Sequence, residues 1–258
     1  MGRLMILQEF IDGVAILILN NPAKRNALSF EVLVELKTHL DSIRKNTDVR
    51  VVILRAEGNV FSAGHDLSEL KEVDVKASRE IFELCTDVME SIRLLPQPVI
   101  AEVNGLATAA GCQLVASCDM AVASEEARFA TPGVNIGLFC TTPGVALSRS
   151  ISSKKAMEML LTGIPISAHE ALQHGLVNKV VPVGELSSYC MRLARHVAKA
   201  SSLVVTLGKQ AFYRQLELDR PKAYEIAQKV MVDNLKASDA QEGIKAFLEK
   251  RDPVWSDQ

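Results

Sequence analysis

Residues 99–123 read VIAEVNGLATAAGCQLVASCDMAVA, and their punctuation points to one class of fold. Val99 to Val103 is a short apolar run of strand type, closed by the turn pair Asn104-Gly105. Ala109 to Ser117 reads as a helix with small residues at its mouth, and Met120 to Ala123 as a second strand opened by Asp119. A strand, a helix and another strand in so short a stretch argue for an α/β core.

Outward from that stretch the alternation continues. Leu4 to Phe10 and Val14 to Leu19 form a hairpin around Asp12-Gly13, ended by Asn20, Asn21 and Pro22. Ser29 caps a helix whose apolar face is Val32, Leu33, Leu36, Leu40 and Ile43. Val51 to Leu54 is a buried-type strand, followed by a loop from Arg55 to about His65. Residues 75–94 read as a second long helix, stopped before Pro96. Beyond about residue 141 the pattern turns helical, interrupted by a Val177 to Val181 strand, and residues 184–250 hold three or four helices. The division expected is a core over 1–195 and a helical C-terminal region over 196–258.

The 258 residues are 48% hydrophobic and 23% charged, with 29 basic and 31 acidic side chains and a formal net charge of −2. That balance gives no footprint for nucleic acid or a membrane surface. The apolar-rich stretch from Val99 to Ala123 is broken by Glu102, Asn104, Gln113 and Asp119, so it does not read as a bilayer span. The N-terminus shows neither a signal-like apolar run nor an Arg- and Ser-rich presequence, and a cytoplasmic location is expected. Five cysteines at 85, 112, 118, 140 and 190 lack CxxC spacing, and the five histidines are dispersed. Neither a disulfide scaffold nor a metal site is expected.

Two stretches carry candidate chemistry. Phe61-Ser-Ala-Gly-His-Asp66 turns sharply at Gly64, which frees the His65 N–H to point outward. Asn104 to Gln113 places small residues at a helix mouth, where a ligand can approach backbone N–H groups. Two such donors aimed at one carbonyl oxygen make an oxyanion hole.

Asn21-Pro22 with Asn26-Ala27-Leu28, then FSAGHDL, NGLATAAGCQL, CDMAVAS, FATPGVNIGL, TGIPISAHEAL and GLVNKVVP, succeed one another along the chain. EGIKAFLEKRDPVW closes it. In this order they resemble the crotonase superfamily, the enoyl-CoA hydratase/isomerase family. The resemblance implies a spiral of ββα units with a helical C-terminal trimerisation region, and a homotrimer or dimer of trimers. It implies an acyl-CoA thioester as ligand, with coenzyme A arriving as part of the substrate and no separate cofactor. Its two carbonyl-binding donors fall on His65 and Ala110. Its CoA contacts fall on Lys24, Arg25, Ala27, Ala63, Asp66 and Leu67. Phe247 and Lys250 match residues of the closing helix that reach CoA, often from a neighbouring subunit.

The chain departs from that pattern where the chemistry is done. The resemblance assigns one hydratase glutamate to position 113 and the other to position 133, which here are Gln113 and Gly133. A third position, used as an acid in some members, is Thr141. An amide cannot take a proton at neutral pH, and general acid–base groups contribute about 10²–10⁴-fold each. Ordinary hydration should therefore be weak. The His65 imidazole and the thiols of Cys112 and Cys140 are the nearest replacements, against the simpler reading that they pack. Asp66 is better explained as a helix cap, and Leu84, Met89, Leu138, Phe139 and Val145 as either an acyl tunnel or core. Three functions remain open: a crotonase with a non-hydratase reaction such as thioester hydrolysis or decarboxylation, a non-catalytic acyl-CoA-binding or interaction protein, and a weak hydratase.

Overall fold

The computed structural model describes residues 4–71 and 74–257. A large sheet is built from β1 (Ile6–Ile11), β2 (Val14–Leu19), β3 (Val51–Ala56), β5 (Val99–Val103), β7 (Met120–Ser124) and β10 (Lys179–Val181), in that spatial order. A small sheet runs β4 (Val60–Ser62), β6 (Leu106–Thr108), β8 (Arg128–Ala130) and β9 (Ile166–Ser167). Among the described residues only the β1–β2 hairpin and the β8–β9 pair are antiparallel. The hairpin turns through Asp12 and Gly13, both at positive φ, as a tight two-residue connection requires.

The helices are α1 (Phe30–Lys45), α2 (Val75–Arg93), α3 (Ala110–Ser117), α4 (Thr141–Ser150), α5 (Ser153–Thr162), α6 (Ala168–His174), α7 (Leu186–Ala198), α8 (Ser202–Leu216), α9 (Arg220–Asn234) and α10 (Ser238–Glu249). The chain repeats one unit three times: a strand in the large sheet, a strand in the small sheet, then a helix. These units are β3-β4-α2, β5-β6-α3 and β7-β8-α4. The expected α/β spiral of ββα units is present. The span from Arg55 to His65, expected as a loop, contains β4, and the small sheet as a whole does not show in the sequence pattern. Its strands are two or three residues long, too short for alternation to appear.

β2 reads VAILIL and is buried throughout, because both faces are covered. Ala15, Leu17 and Leu19 enter the main core with Val32, Leu33, Leu36 and Leu40 of α1. Val14, Ile16 and Ile18 meet Leu186, Cys190 and Ala194 of α7 on the other face. The Ser29 side chain accepts from the Val32 N–H at 3.3 Å, which starts α1 at the expected place. α8 is tied to the core by a buried cation. Lys209 Nζ donates to Asp119 Oδ2 at 2.6 Å and to the Ile92 and Gln97 carbonyls at 3.0 Å each. The Tyr213 hydroxyl donates to the other Asp119 oxygen at 2.8 Å. Phe212, Met231, Leu235, Ile244, Phe247 and Leu248 on α8 to α10 are exposed in the single chain.

Candidate active site

Three parallel strands of the small sheet end side by side, and each delivers one part of the site. β4 runs into Ala63-Gly64-His65, β6 into Ala109-Ala110, and β8 into Thr131-Pro132-Gly133. The ends of parallel strands are where open α/β sheets gather ligand-binding backbone.

The first two strand ends touch. Gly64 has φ of +86°, and a Cβ there would lie 2.9 Å from the Ala109 Cβ and 3.2 Å from the Ala110 nitrogen. Only glycine allows this approach, and it sets the His65 peptide beside the first turn of α3. Ala109 itself takes φ 51° and ψ −119°, a conformation costly for a residue with a side chain. Ala109 donates its own N–H to the Ala130 carbonyl at 2.9 Å. The Ala110 N–H opens α3 and so has no partner within the helix. The Leu28 N–H is bonded to the Gly64 carbonyl at 2.7 Å, which holds the His65 loop from the other side.

Gln113 lies one helical turn beyond Ala110 and is 5% exposed. Its Oε1 has no hydrogen-bond partner. It lines a cavity of about 1240 Å³ together with Met89, Thr142, Val145 and Phe212. Gly133 is buried, and a Cβ on it would overlap the Leu138 carbonyl oxygen. The obstacle is crowding rather than the positive φ that a glycine at a turn suggests, because Gly133 is not among the residues at positive φ.

The possible replacements for a carboxylate sit in enclosed or structurally occupied positions. Both ring nitrogens of His65 are buried without partners, and the ring meets Phe82 edge-on at 5.2 Å. Burial lowers its pKa and so favours the neutral ring. Burial pushes the Cys112 thiol up to about 12 and raises that of Cys140 as well, so neither is a ready thiolate. Asp66 is occupied structurally. It accepts from the Ser68 N–H at 3.0 Å and pairs with Lys24 at 3.0 Å, and the Ser68 hydroxyl and Lys24 hold its pKa down.

The residues expected to hold CoA divide into two groups. Lys24, Arg25 and Ala27 come together with Ala63, Asp66 and Leu67, through the Lys24–Asp66 pair and the Ala63 N–H to Arg25 carbonyl bond of 3.0 Å. Phe247 is 82% exposed on α10, and Lys250 closes that helix in a left-handed conformation. Among the described residues no side-chain hydrogen bond or ion pair joins either to the strand ends. Sequence reasoning missed the side chain of Asn26 and the backbone of Ala109. The signal available for Asn26 was its place in an Asn-rich turn, since asparagine tolerates left-handed backbone.

Residues 9–258 match the sequence profile of the Enoyl-CoA hydratase/isomerase family. The chain belongs to that family, within the crotonase superfamily. Human enoyl-CoA hydratase domain-containing protein 3, mitochondrial, is 56% identical over 247 residues, covering 95% of this chain and 82% of that protein. The crystal structure of the human protein aligns with a TM-score of 0.95 at 55% identity, over 97% of this chain and 100% of that one. A Mycobacterium smegmatis enoyl-CoA hydratase structure aligns at 0.96 and 46% identity, over 98% and 99%. The family assignment agrees with the ββα spiral and the helical C-terminal region. The expected cytoplasmic location is contradicted, because the human relative is a mitochondrial protein by name. Composition and the first residues of the chain carry no reliable address, which is why that expectation failed.

Proposed function

We propose that this chain binds an acyl-CoA thioester and polarises its carbonyl with the N–H groups of His65 and Ala110, without a carboxylate on either side of the acyl group. The observation that supports this reading is the close packing of Gly64, the residue before His65, against Ala109 and the Ala110 nitrogen. Preorganised donors of this kind are worth roughly 3 kcal/mol each in barrier height. The Lys24 to Ala27 and Ala63 to Leu67 segments, zipped together beside the donors, would hold the CoA portion. The cavity lined by Gln113, Met89 and Val145 would take the acyl portion.

The chemistry this supports is enolate or tetrahedral-oxyanion stabilisation rather than hydration. Gln113 holds and orients an oxygen but takes no proton, and Gly133 has no space for a side chain. Thioester hydrolysis needs water added to the carbonyl carbon, with release of the CoA thiol. Decarboxylation of a β-carboxyl thioester releases carbon dioxide and leaves an enolate that solvent protonates. Both make negative charge on the one oxygen that the donors face. The exposed apolar side chains of α8 to α10 support a trimer in which Phe247 and Lys250 serve the CoA site of a neighbouring copy.

A panel of CoA thioesters with mass-spectrometric readout, run beside calorimetric titration of CoA and acyl-CoA, tests the reading. Turnover by hydrolysis or decarboxylation, with hydration far below that of ordinary hydratases, is expected. Tight thioester binding with no turnover on the panel would make the chain a binding protein. Absence of binding would overturn the proposal.

A further inference from the structure

Asn26 is 2% exposed and sits in left-handed backbone with φ of 50°, directly after Arg25 at 53°. Its side chain makes three hydrogen bonds, to two separate parts of the chain. Oδ1 accepts from the Asn21 N–H at 2.8 Å. Nδ2 donates to the Glu57 carbonyl at 2.9 Å and to the Val60 carbonyl at 2.7 Å. Its backbone N–H adds a fourth, to the Asn21 carbonyl at 2.9 Å. Asn26 thus joins the turn after β2 to the turn before β4.

Beyond Val60 the chain approaches His65. Over these residues β4 leaves the clamp and zips onto the Asn26 segment itself. The Ala63 N–H donates to the Arg25 carbonyl at 3.0 Å, and the Leu28 N–H to the Gly64 carbonyl at 2.7 Å. Leu28 and His65 form an isolated parallel bridge at its end. The other side of the loop is pinned from within: the Gly64 N–H donates to Ser62 Oγ at 3.2 Å, and Gly111 leaves no space for a Cβ beside the same serine. The direction of the His65 N–H is therefore set by the segment 25–28 on one side and by α3 on the other, and Asn26 holds the first of these.

We infer that Asn26 is a positioning residue for the carbonyl-binding site, which keeps the His65 donor aligned without touching the ligand. The inference rests on the proposed role of His65 and Ala110. A buried amide fits the post because it supplies two donors and one acceptor at once while tolerating the left-handed backbone. Asp keeps the shape and loses both donors, while turning a carboxylate on two carbonyl oxygens. Gly keeps the backbone and loses the clamp.

The test is difference infrared spectroscopy of [1-¹³C]hexanoyl-CoA bound to the full chain. In the wild type the thioester carbonyl stretch should move to lower frequency on binding. Asn26→Asp and Asn26→Gly should lose most of that shift when each variant is read at a ligand concentration that saturates it. In Asn26→Asp the shift should recover as pH falls and the new carboxyl regains a proton to donate. Variants that keep the full shift would overturn the role of Asn26 alone. A wild type with no shift would overturn the carbonyl-polarising reading and, with it, anything for Asn26 to position. Amide exchange in the wild type supplies an arm that needs no variant. The Leu28 and Ala63 N–H groups should be protected as well as those of β2 and β3, and rapid exchange there would refute the clamp.

Discussion

The Cys140 thiol stands where a side chain on Gly133 would begin: a Cβ built there lies 2.8 Å from Sγ and overlaps the Leu138 carbonyl oxygen. The Leu138 N–H is bonded back to the Gly133 carbonyl at 2.9 Å, so this tight loop cannot open at that point without losing its own hydrogen bond. Position 133, to which the resemblance assigns the second glutamate, is closed to any side chain in this backbone.

Carboxylates placed at positions 113 and 133 should therefore not produce hydration. Gln113→Glu combined with Gly133→Glu should leave crotonyl-CoA hydration, monitored by loss of enoyl absorbance, at the level of Gln113→Glu alone. The Gly133 change should cost roughly 1–3 kcal/mol of stability, the usual scale of overpacking. Adding Cys140→Ala should not rescue it, since the carbonyl oxygen remains. Strong hydration by the double variant would show that the loop yields.

The His65 side chain should be dispensable for chemistry, because in the proposed site it is the backbone N–H that serves as donor. His65→Phe, which keeps an aromatic ring against Phe82, should leave thioester binding and any turnover within a few-fold. A catalytic imidazole would instead cost about 10²–10⁴-fold. The same variant should alter stability in acid. Burial lowers the pKa of His65 in the folded chain, so the unfolded chain binds the proton first. Its contribution is full above about pH 6.5 and is lost as pH falls toward the folded value. Melting curves between pH 7 and 5 should show a drop for the wild type that the Phe variant reduces.

Much of this site could be read from sequence, and the reasons are local. Gly64 and the small residues at the mouth of α3 mark places where backbone must come close to something, and the family resemblance assigns the two donors to His65 and Ala110 within them. The α1 face from Val32 to Ile43 and the Asp12-Gly13 turn were equally plain, since helix period and turn chemistry are written into neighbouring residues. The small sheet was not, because β4, β6 and β8 are three residues long and owe their pairing to contacts far along the chain. The crowding at Gly133 and the clamp at Asn26 were hidden for the same reason: each depends on which distant carbonyls the fold brings near.

Glu102 gives the opposite pH dependence on the other face of the sheet. It is buried under α7, accepts from the Ser187 hydroxyl at 2.5 Å, and burial raises its pKa. The folded chain therefore holds that proton longer than the unfolded one. Stability from this group is full below about pH 4.3 and is lost as pH rises through the folded value. Glu102→Gln should gain on the wild type in denaturant melts as pH rises from 4 to 7. A constant difference across that range would count against the assignment.

Lys209 should be the pin that holds α8 to the core. Lys209→Met leaves the largely buried Asp119 carboxylate with only Tyr213 and the Val99 N–H as partners. Breaking a buried pair from one side typically costs about 3–5 kcal/mol. The variant should show a lowered denaturant midpoint and earlier proteolysis within residues 202–216. A change of a few tenths of a kcal/mol would show that apolar packing alone holds the helix.

The role proposed for the backbone donors of His65 and Ala110 is recognition of a thioester carbonyl. Calorimetric titration with hexanoyl-CoA and with its thioether analogue, hexyl-CoA, isolates that oxygen, since the two ligands share CoA and chain length. Two preorganised hydrogen bonds should favour the thioester by roughly tenfold or more, about 1.4 kcal/mol. Equal affinity for the two ligands would contradict the claim.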